Sequence, residues 1–119
     1  MGTDGAGNVN ITGRTNSSFA IATAGSYQST FGGGGSNTFL AQFSNAGSLS
    51  WGTYLGGGGS VGTDEGDAIS TDGSGNIYVT GRTASSSGIA TSGAYQTSYG
   101  GLGDAFLAEF NNSLSGQRL

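Results

Sequence analysis

Histidine, cysteine, lysine and proline are all absent from this 119-residue chain, and most of these absences remove a class of chemistry. Without cysteine there is no disulfide framework and no thiolate metal site; without histidine the commonest general base and zinc ligand are both missing. Arg14, Arg82 and Arg118 are the only cations, set against seven carboxylates for a net charge of −4. That balance argues against nucleic acid and against an anionic membrane surface, since either needs a basic patch. No apolar run approaches the roughly 18 residues of a membrane-spanning helix, so membrane insertion is not expected. The opening "MGTDGAGN" has neither the basic start nor the apolar stretch of a signal peptide. Scattered carboxylates are all that remain for acid–base work, so the expectation is no enzyme, no catalytic residue and no cofactor.

What is present is glycine, at 26 residues, with only 8% charged and 34% apolar residues. The apolar residues are gathered in short blocks: "NIYVTG", "AFLAEF", "TFLAQF" and "LSWGTYLG". These are rich in β-branched and aromatic residues and bounded by Gly, Asn, Asp and Ser, as strands between turns are. The blocks also repeat in order. "DGAGNVNITGRT" (4–15) returns as "DGSGNIYVTGRT" (72–83), "IATAGSYQ" (21–28) as "IATSGAYQ" (89–96), and "FLAQF" (39–43) as "FLAEF" (106–110). The period is 67 to 68 residues.

One period reads as four antiparallel strands. "GDAIST" (66–71) leads through the turn "DGSGN" (72–76) to "IYVTGRT" (77–83). A long connection (84–103) follows, then "DAFLAEF" (104–110); the fourth strand is seen only in the first copy, as "LSWGTYLG" (49–56) after the turn 44–48. Gly and Asn in the turns supply the positive φ that short hairpins need. The fold predicted is all-β, a segment of β-propeller with two four-stranded blades. A β-sandwich is the alternative, since strand count alone does not separate the two. The first blade is placed at 1–56, lacking its first strand, and the second at 57–119, lacking its last. Met1 aligns with Ile69 and Leu119 with Ser50, so the chain reads as a window on a longer array or as blades completed by other copies.

In this order "WGTYLGG", "DEGDAISTDGSGNIYVTGRT", "GIATSGAYQTSYGG" and "DAFLAEFN" resemble the secreted bacterial β-propeller repeats, called SBBP or seven-bladed β-propeller repeats, in particular Bacteroidota-like copies. The resemblance covers essentially the whole chain. It implies a blade-forming repeat of large extracellular or cell-surface proteins, a structural or adhesive scaffold generally without an assigned enzymatic activity. Two departures stand out: the connection lacks the proline usual near its start, and Asn10 stands where the second copy has Tyr78, which makes the first blade's strand, taken as exposed, less aromatic.

A blade buries its faces only against neighbouring blades, so the partners expected are blades of the same chain or of identical chains. A glycan is the other partner considered, in a lectin-like propeller assembled from short chains. Tyr27 and Tyr95, in the long connections, would stack on sugar rings; the plainer use of these and of Phe31 and Tyr99 is packing of the loop on its own blade. Asp64, Glu65 and Asp67 of "TDEGD" (63–67), placed just ahead of a strand, are the calcium candidates, against a simpler role in solubilising a turn. "DGSGN" lacks the later glycine and glutamate of a calcium loop and is explained by turn chemistry. Arg14 and Arg82, at the same place in each copy, are expected to pair with an acidic residue such as Asp67 or Asp104. The runs "GGGGS" (32–36 and 56–60) precede neither lysine nor helix and are turns rather than phosphate loops.

Overall fold

The computed structural model describes residues 1–57, 62–101, 103–111 and 118. The second "GGGGS" run beyond Gly57, and the alignment of Leu119 with Ser50, lie outside the described residues. Seven strands form two antiparallel sheets. Sheet I has the order β1-β2-β3-β4, from β1 (Gly2–Thr3), β2 (Val9–Thr15), β3 (Asn37–Phe43) and β4 (Leu49–Leu55). Sheet II has the order β5-β6-β7, from β5 (Asp64–Thr71), β6 (Asn76–Thr83) and β7 (Asp104–Asn111). The described residues form no helix.

The turn into the second strand is built the same way in both sheets. Asp4 Oδ1 accepts from the Ala6 and Asn8 amides at 2.9 Å, and Asp72 Oδ1 from those of Ser74 and Asn76 at 2.8 and 3.0 Å. Gly7 and Gly75 close these turns at φ 85°, where a Cβ would be strained. In the first sheet the first strand is two residues long, Gly2 opposite Asn10 and Thr3 opposite Val9. In sheet II the first strand begins at Asp64, ahead of the "GDAIST" block, because Asp64 and Glu65 pair with Thr83 and Arg82. "TDEGD" therefore lies largely within β5 rather than before it, and Asp67 is the extra residue of a bulge between Gly66 and Ala68.

Period-two alternation gives each sheet two unlike faces. On sheet I one face carries Leu40, Gln42, Trp51, Leu55, Thr12 and Asn10, joined by cross-strand register; the other carries Val9, Ile11, Phe39, Ala41, Phe43 and Tyr54. The first of these packs on Ile77, Val79, Phe106, Ala108 and Phe110 of sheet II, with Ile89 of the second connection, and together they make the core. Those sheet II residues are the repeat equivalents of the second face of sheet I, not of the first. The stacking is thus head to tail: one outward face of each kind remains, Val9, Ile11, Phe39 and Phe43 half-buried on sheet I, and Tyr78, Thr80, Arg82, Leu107 and Glu109 on sheet II.

The two long connections differ in what they hold. Residues 16–36 wrap the outer edge of β4: the Thr23 amide donates to Gly52 O at 2.9 Å, the Tyr54 amide to Gln28 O at 3.0 Å, and the Gly56 amide to Gln28 Oε1 at 3.1 Å. In sheet II the described residues place no strand on the side of β7 away from β6. Arg118 alone bridges antiparallel to Phe110, the position Leu49 holds beside Phe43 in sheet I.

Candidate functional site

The polar residues singled out in the sequence collect at two places, the junction between the sheets and the outward face of sheet II. At the junction Asp64 is fully buried. Its Oδ1 accepts from the Thr83 hydroxyl at 2.5 Å, and its Oδ2 from the Ser85 hydroxyl at 2.8 Å and the Gly57 amide at 3.1 Å. Gly57 follows β4, so the carboxylate ties the end of sheet I to sheet II with charge-assisted hydrogen bonds. The backbone continues the tie, the Asp64 amide donating to Ser36 O at 3.0 Å and the Gly35 amide to Gly62 O at 2.8 Å.

Glu65 and Asp67 point elsewhere. Glu65 Oε2 lies 2.9 Å from Arg82 Nη2 and 3.9 Å from Arg14 Nη1, and Asp67 Oδ2 lies 3.6 Å from Arg82 Nε. The three calcium candidates therefore do not converge on one point, and no cluster of three acidic side chains suited to a metal occurs among the described residues. The expected arginine pairing is met for Arg82 by Glu65 and Asp67, and Arg14 reaches across to Glu65 of the other sheet. Asp104 is not an arginine partner: its Oδ2 accepts the Gly100 amide at 2.5 Å and so shapes the glycine turn.

On the outward face of sheet II, Tyr78 Oη lies 2.9 Å from Asp72 Oδ2 and 3.1 Å from Glu109 Oε1. One phenolic proton is shared between two carboxylates. The bond to Asp72, with burial and Glu109, pushes the Tyr78 hydroxyl up to about 12. Asp72 is held down to about 2, chiefly by the main-chain and side-chain N–H groups of Asn76, with Tyr78 and Ser74 adding to them. Sequence reading missed this cluster. The signal was a paired change between the copies: Tyr78 faces Glu109 across the ladder where sheet I has Asn10 facing Gln42. Those amides are buried, Gln42 Nε2 donating to Asn10 Oδ1 at 3.0 Å, so the expectation that Asn10 sits on an exposed strand is corrected: its face is the one sheet II covers.

The connection aromatics separate too. Phe31 packs on its own sheet, edge to face with Tyr54 at 5.8 Å. Tyr27 crosses to the other sheet and meets Phe110 edge-on at 5.8 Å, with the Arg118 guanidinium 5.5 Å from its ring centre, which corrects the expectation that it packs on its own blade. Its repeat equivalent Tyr95 is fully exposed, at 106%. Leu40 and Leu107 divide the same way, 1% exposed against 72%. Beside Leu107 a groove of about 770 Å³ runs between β7 and the second connection, lined by Ile89, Thr91, Tyr95, Gln96, Tyr99 and Phe106 among others. No helix among the described residues is long and apolar enough to cross a membrane.

No curated protein matches the chain. The profile of the SBBP family, described as a beta-propeller repeat, matches residues 50–90, from within β4 through β5 and β6 into the second connection, and it is to this family of β-propeller repeats that the ordered motifs of the chain are similar.

Proposed function

We propose that the chain is a structural repeat scaffold, a segment of β-propeller whose blades stack head to tail, belonging to an exported or surface-exposed bacterial protein. The observation that carries this is the contrast at equivalent positions: Leu40 is sealed at 1% by the second sheet, and Leu107, on the same face of the next sheet, stands 72% open. An open face of the first kind and an open face of the second kind on one molecule favour continued stacking, by further blades or by identical chains, closing into a ring where the rotation permits. Adhesion, where it occurs, is a use of the assembled surface. The chain carries no catalytic centre of its own in this reading, having neither His, Cys nor Lys.

Light scattering coupled to size exclusion tests it. The chain is expected to associate as its concentration rises, and Leu107→Asp to abolish the association without unfolding the chain. A folded monomer at every concentration overturns the stacking reading. The carbohydrate-binding alternative is favoured by one feature, the exposed ring of Tyr95. Selective binding on a glycan array, lost in Tyr95→Ala, would replace the scaffold by a lectin.

A further inference from the structure

Both copies carry an aspartate followed by glycine at the turn into the second strand, Asp4 with Gly5 and Asp72 with Gly73. The fold accounts for the aspartates, whose carboxylates close the turns, and for Gly7 and Gly75, which sit at φ 85°. It does not ask for the other two glycines. Neither Gly5 nor Gly73 has a positive φ, and a Cβ built on either meets nothing within 4 Å. Both are exposed, so a side chain there would reach water at no steric cost.

Glycine after aspartate has a chemical consequence instead. With no Cβ in the way, the main-chain nitrogen of the glycine can close on the aspartyl Cγ. The N–Cγ bond forms, a carboxyl C–O bond breaks, and the oxygen leaves as water with the amide proton, giving a five-membered succinimide. Water then adds at the former main-chain carbonyl carbon and breaks its bond to nitrogen, which recovers a proton. The chain now runs on through Cβ and Cγ, as isoaspartate. One water leaves and one returns, and no other reactant is needed. The reacting form is the carboxylic acid, because the departing oxygen goes as water.

The contacts of the turn oppose that step. Asp72 Oδ1 accepts the amides of Ser74 and Asn76 at 2.8 and 3.0 Å, and Oδ2 accepts the Asn76 side-chain N–H at 3.0 Å and the Tyr78 hydroxyl at 2.9 Å. Turning the carboxyl onto the Gly73 nitrogen breaks these bonds, and while they last they keep the group ionised, its pKa lowered to about 2. Asp4 is buried, with Oδ1 on the amides of Ala6 and Asn8 and Oδ2 on the Asn8 side chain, all at 2.9 Å. Tyr78 is peculiar to the second copy: Asn10 stands in its place in the first and is bonded to Gln42.

We propose that Asp4 with Gly5 and Asp72 with Gly73 are latent isoaspartate sites, locked by the turn in the folded chain and released when the turn opens, with Tyr78 an added latch on the second. Conversion runs one way. The extra main-chain carbon moves the remaining carboxylate off the two amides it capped, so the turn that returns β6 along β5 loses its closure. The modification therefore reports local opening of a hairpin, which need not involve the rest of the fold.

The full chain, incubated in mildly acidic buffer with and without denaturing urea, tests this. Isoaspartate is read at each site as resistance to a protease that cuts before aspartate and not before isoaspartate, with electron-transfer fragmentation of the peptides as the check. Both sites are expected to convert at similar rates in urea and to slow by roughly tenfold or more in the folded chain, where opening is rare. Tyr78→Phe should speed conversion at Asp72 in the folded chain and leave Asp4, and both rates in urea, unchanged. Gly73→Ala, which the open space at residue 73 admits, should slow conversion at Asp72 in urea by roughly tenfold while the chain melts as before. Absence of isoaspartate in urea would overturn the sites, and equal rates with and without urea would overturn the lock. In folded Tyr78→Phe, an unchanged rate at Asp72 or an equal acceleration at Asp4 would overturn the latch.

Discussion

The covered face of sheet I and the open face of sheet II are made from the same strands in nearly the same register, yet they treat polarity differently. The aliphatic positions match, Leu40 with Leu107, and so does the hydroxyl that pins each second strand, Thr12 Oγ1 donating to Phe39 O and Thr80 Oγ1 to Phe106 O, both at 2.8 Å. The row between them does not match. Where sheet II covers sheet I the row is two neutral amides, Asn10 and Gln42; where water reaches, it is Tyr78 and Glu109. Burying a carboxylate costs far more than burying an amide, so the substitution tracks burial. A neighbour that docks on sheet II has to leave this row at a wet rim or bring donors to it. The difference teaches that the two sheets share a backbone plan and adapt their side chains one face at a time.

The largest effect expected is the one that breaks the comparison most directly. Leu40→Ala should cost about 2–5 kcal/mol of stability by opening a cavity in the core, and Leu107→Ala, in the dilute monomer, should stay within about 0.5 kcal/mol. Urea denaturation of the two variants measures this. Equal losses would mean that both faces are covered in solution.

The next effect lies at the tie between the sheets. Asp64→Ala leaves the Thr83 and Ser85 hydroxyls and the Gly57 amide without their acceptor, at about 1–3 kcal/mol for a buried group left unsatisfied. Because both oxygens of Asp64 are engaged by protein donors, millimolar calcium should leave the melting temperature of the unaltered chain where it is, and chelator likewise. A bound ion would raise it by mass action. A clear rise with calcium would return Asp64, Glu65 and Asp67 to the role of ligands.

Much of this fold was legible before the structure. Blocks such as "FLAQF" and "IYVTGRT" announce strands by composition, and Asp72 with Gly75 announces its turn, because these depend on residues near in sequence. The start of β5 was not legible: Asp64 and Glu65 carry no apolar signal, and only their pairing with Thr83 and Arg82 makes them strand. Nor was the depth of Asn10. A period of two divides a strand into two faces without saying which one a neighbour covers, and an asparagine reads as exposed until sheet II is placed over it. The crossing of Tyr27 to Phe110 failed to show for the same reason, being a contact between residues 27 and 110 that no local pattern encodes.

A smaller effect should follow at Glu65, which reaches both Arg14 and Arg82. Its partners are largely in water, so Glu65→Gln should cost about 0.2–1 kcal/mol. The loss should shrink as salt is added, with a screening length of about 10 Å at 0.1 M. A loss above that range, unmoved by salt, would mean that the Arg14 link between the sheets is desolvated in solution and that the two faces are closer in character than the comparison holds.

The smallest effect is also the most diagnostic of the row that distinguishes the faces. Asp72 is held at about 2 in the fold, below its ordinary 3.8, so its contribution to stability is fully present above pH 3.8 and is lost as pH falls toward about 2. Tyr78 is raised from 10 to about 12, so its contribution is fully present below pH 10 and is lost as pH rises toward about 12. The stability profile should therefore be level with respect to this cluster between roughly pH 4 and 10 and fall on both sides. Tyr54 is also raised, by burial, and will share the alkaline limb. Tyr78→Phe should shrink that limb without removing it, and should ease the acid limb as well, since Asp72 loses one of its donors. The double change Tyr78→Asn with Glu109→Gln transplants the row of sheet I onto sheet II and should give the same shortened alkaline limb. Melting temperature against pH, with phenolate absorbance followed alongside, separates these outcomes. An alkaline limb identical in all three chains would show that Tyr78 does not share its proton with Asp72 and Glu109, and the polar contrast between the two faces would then rest on burial alone.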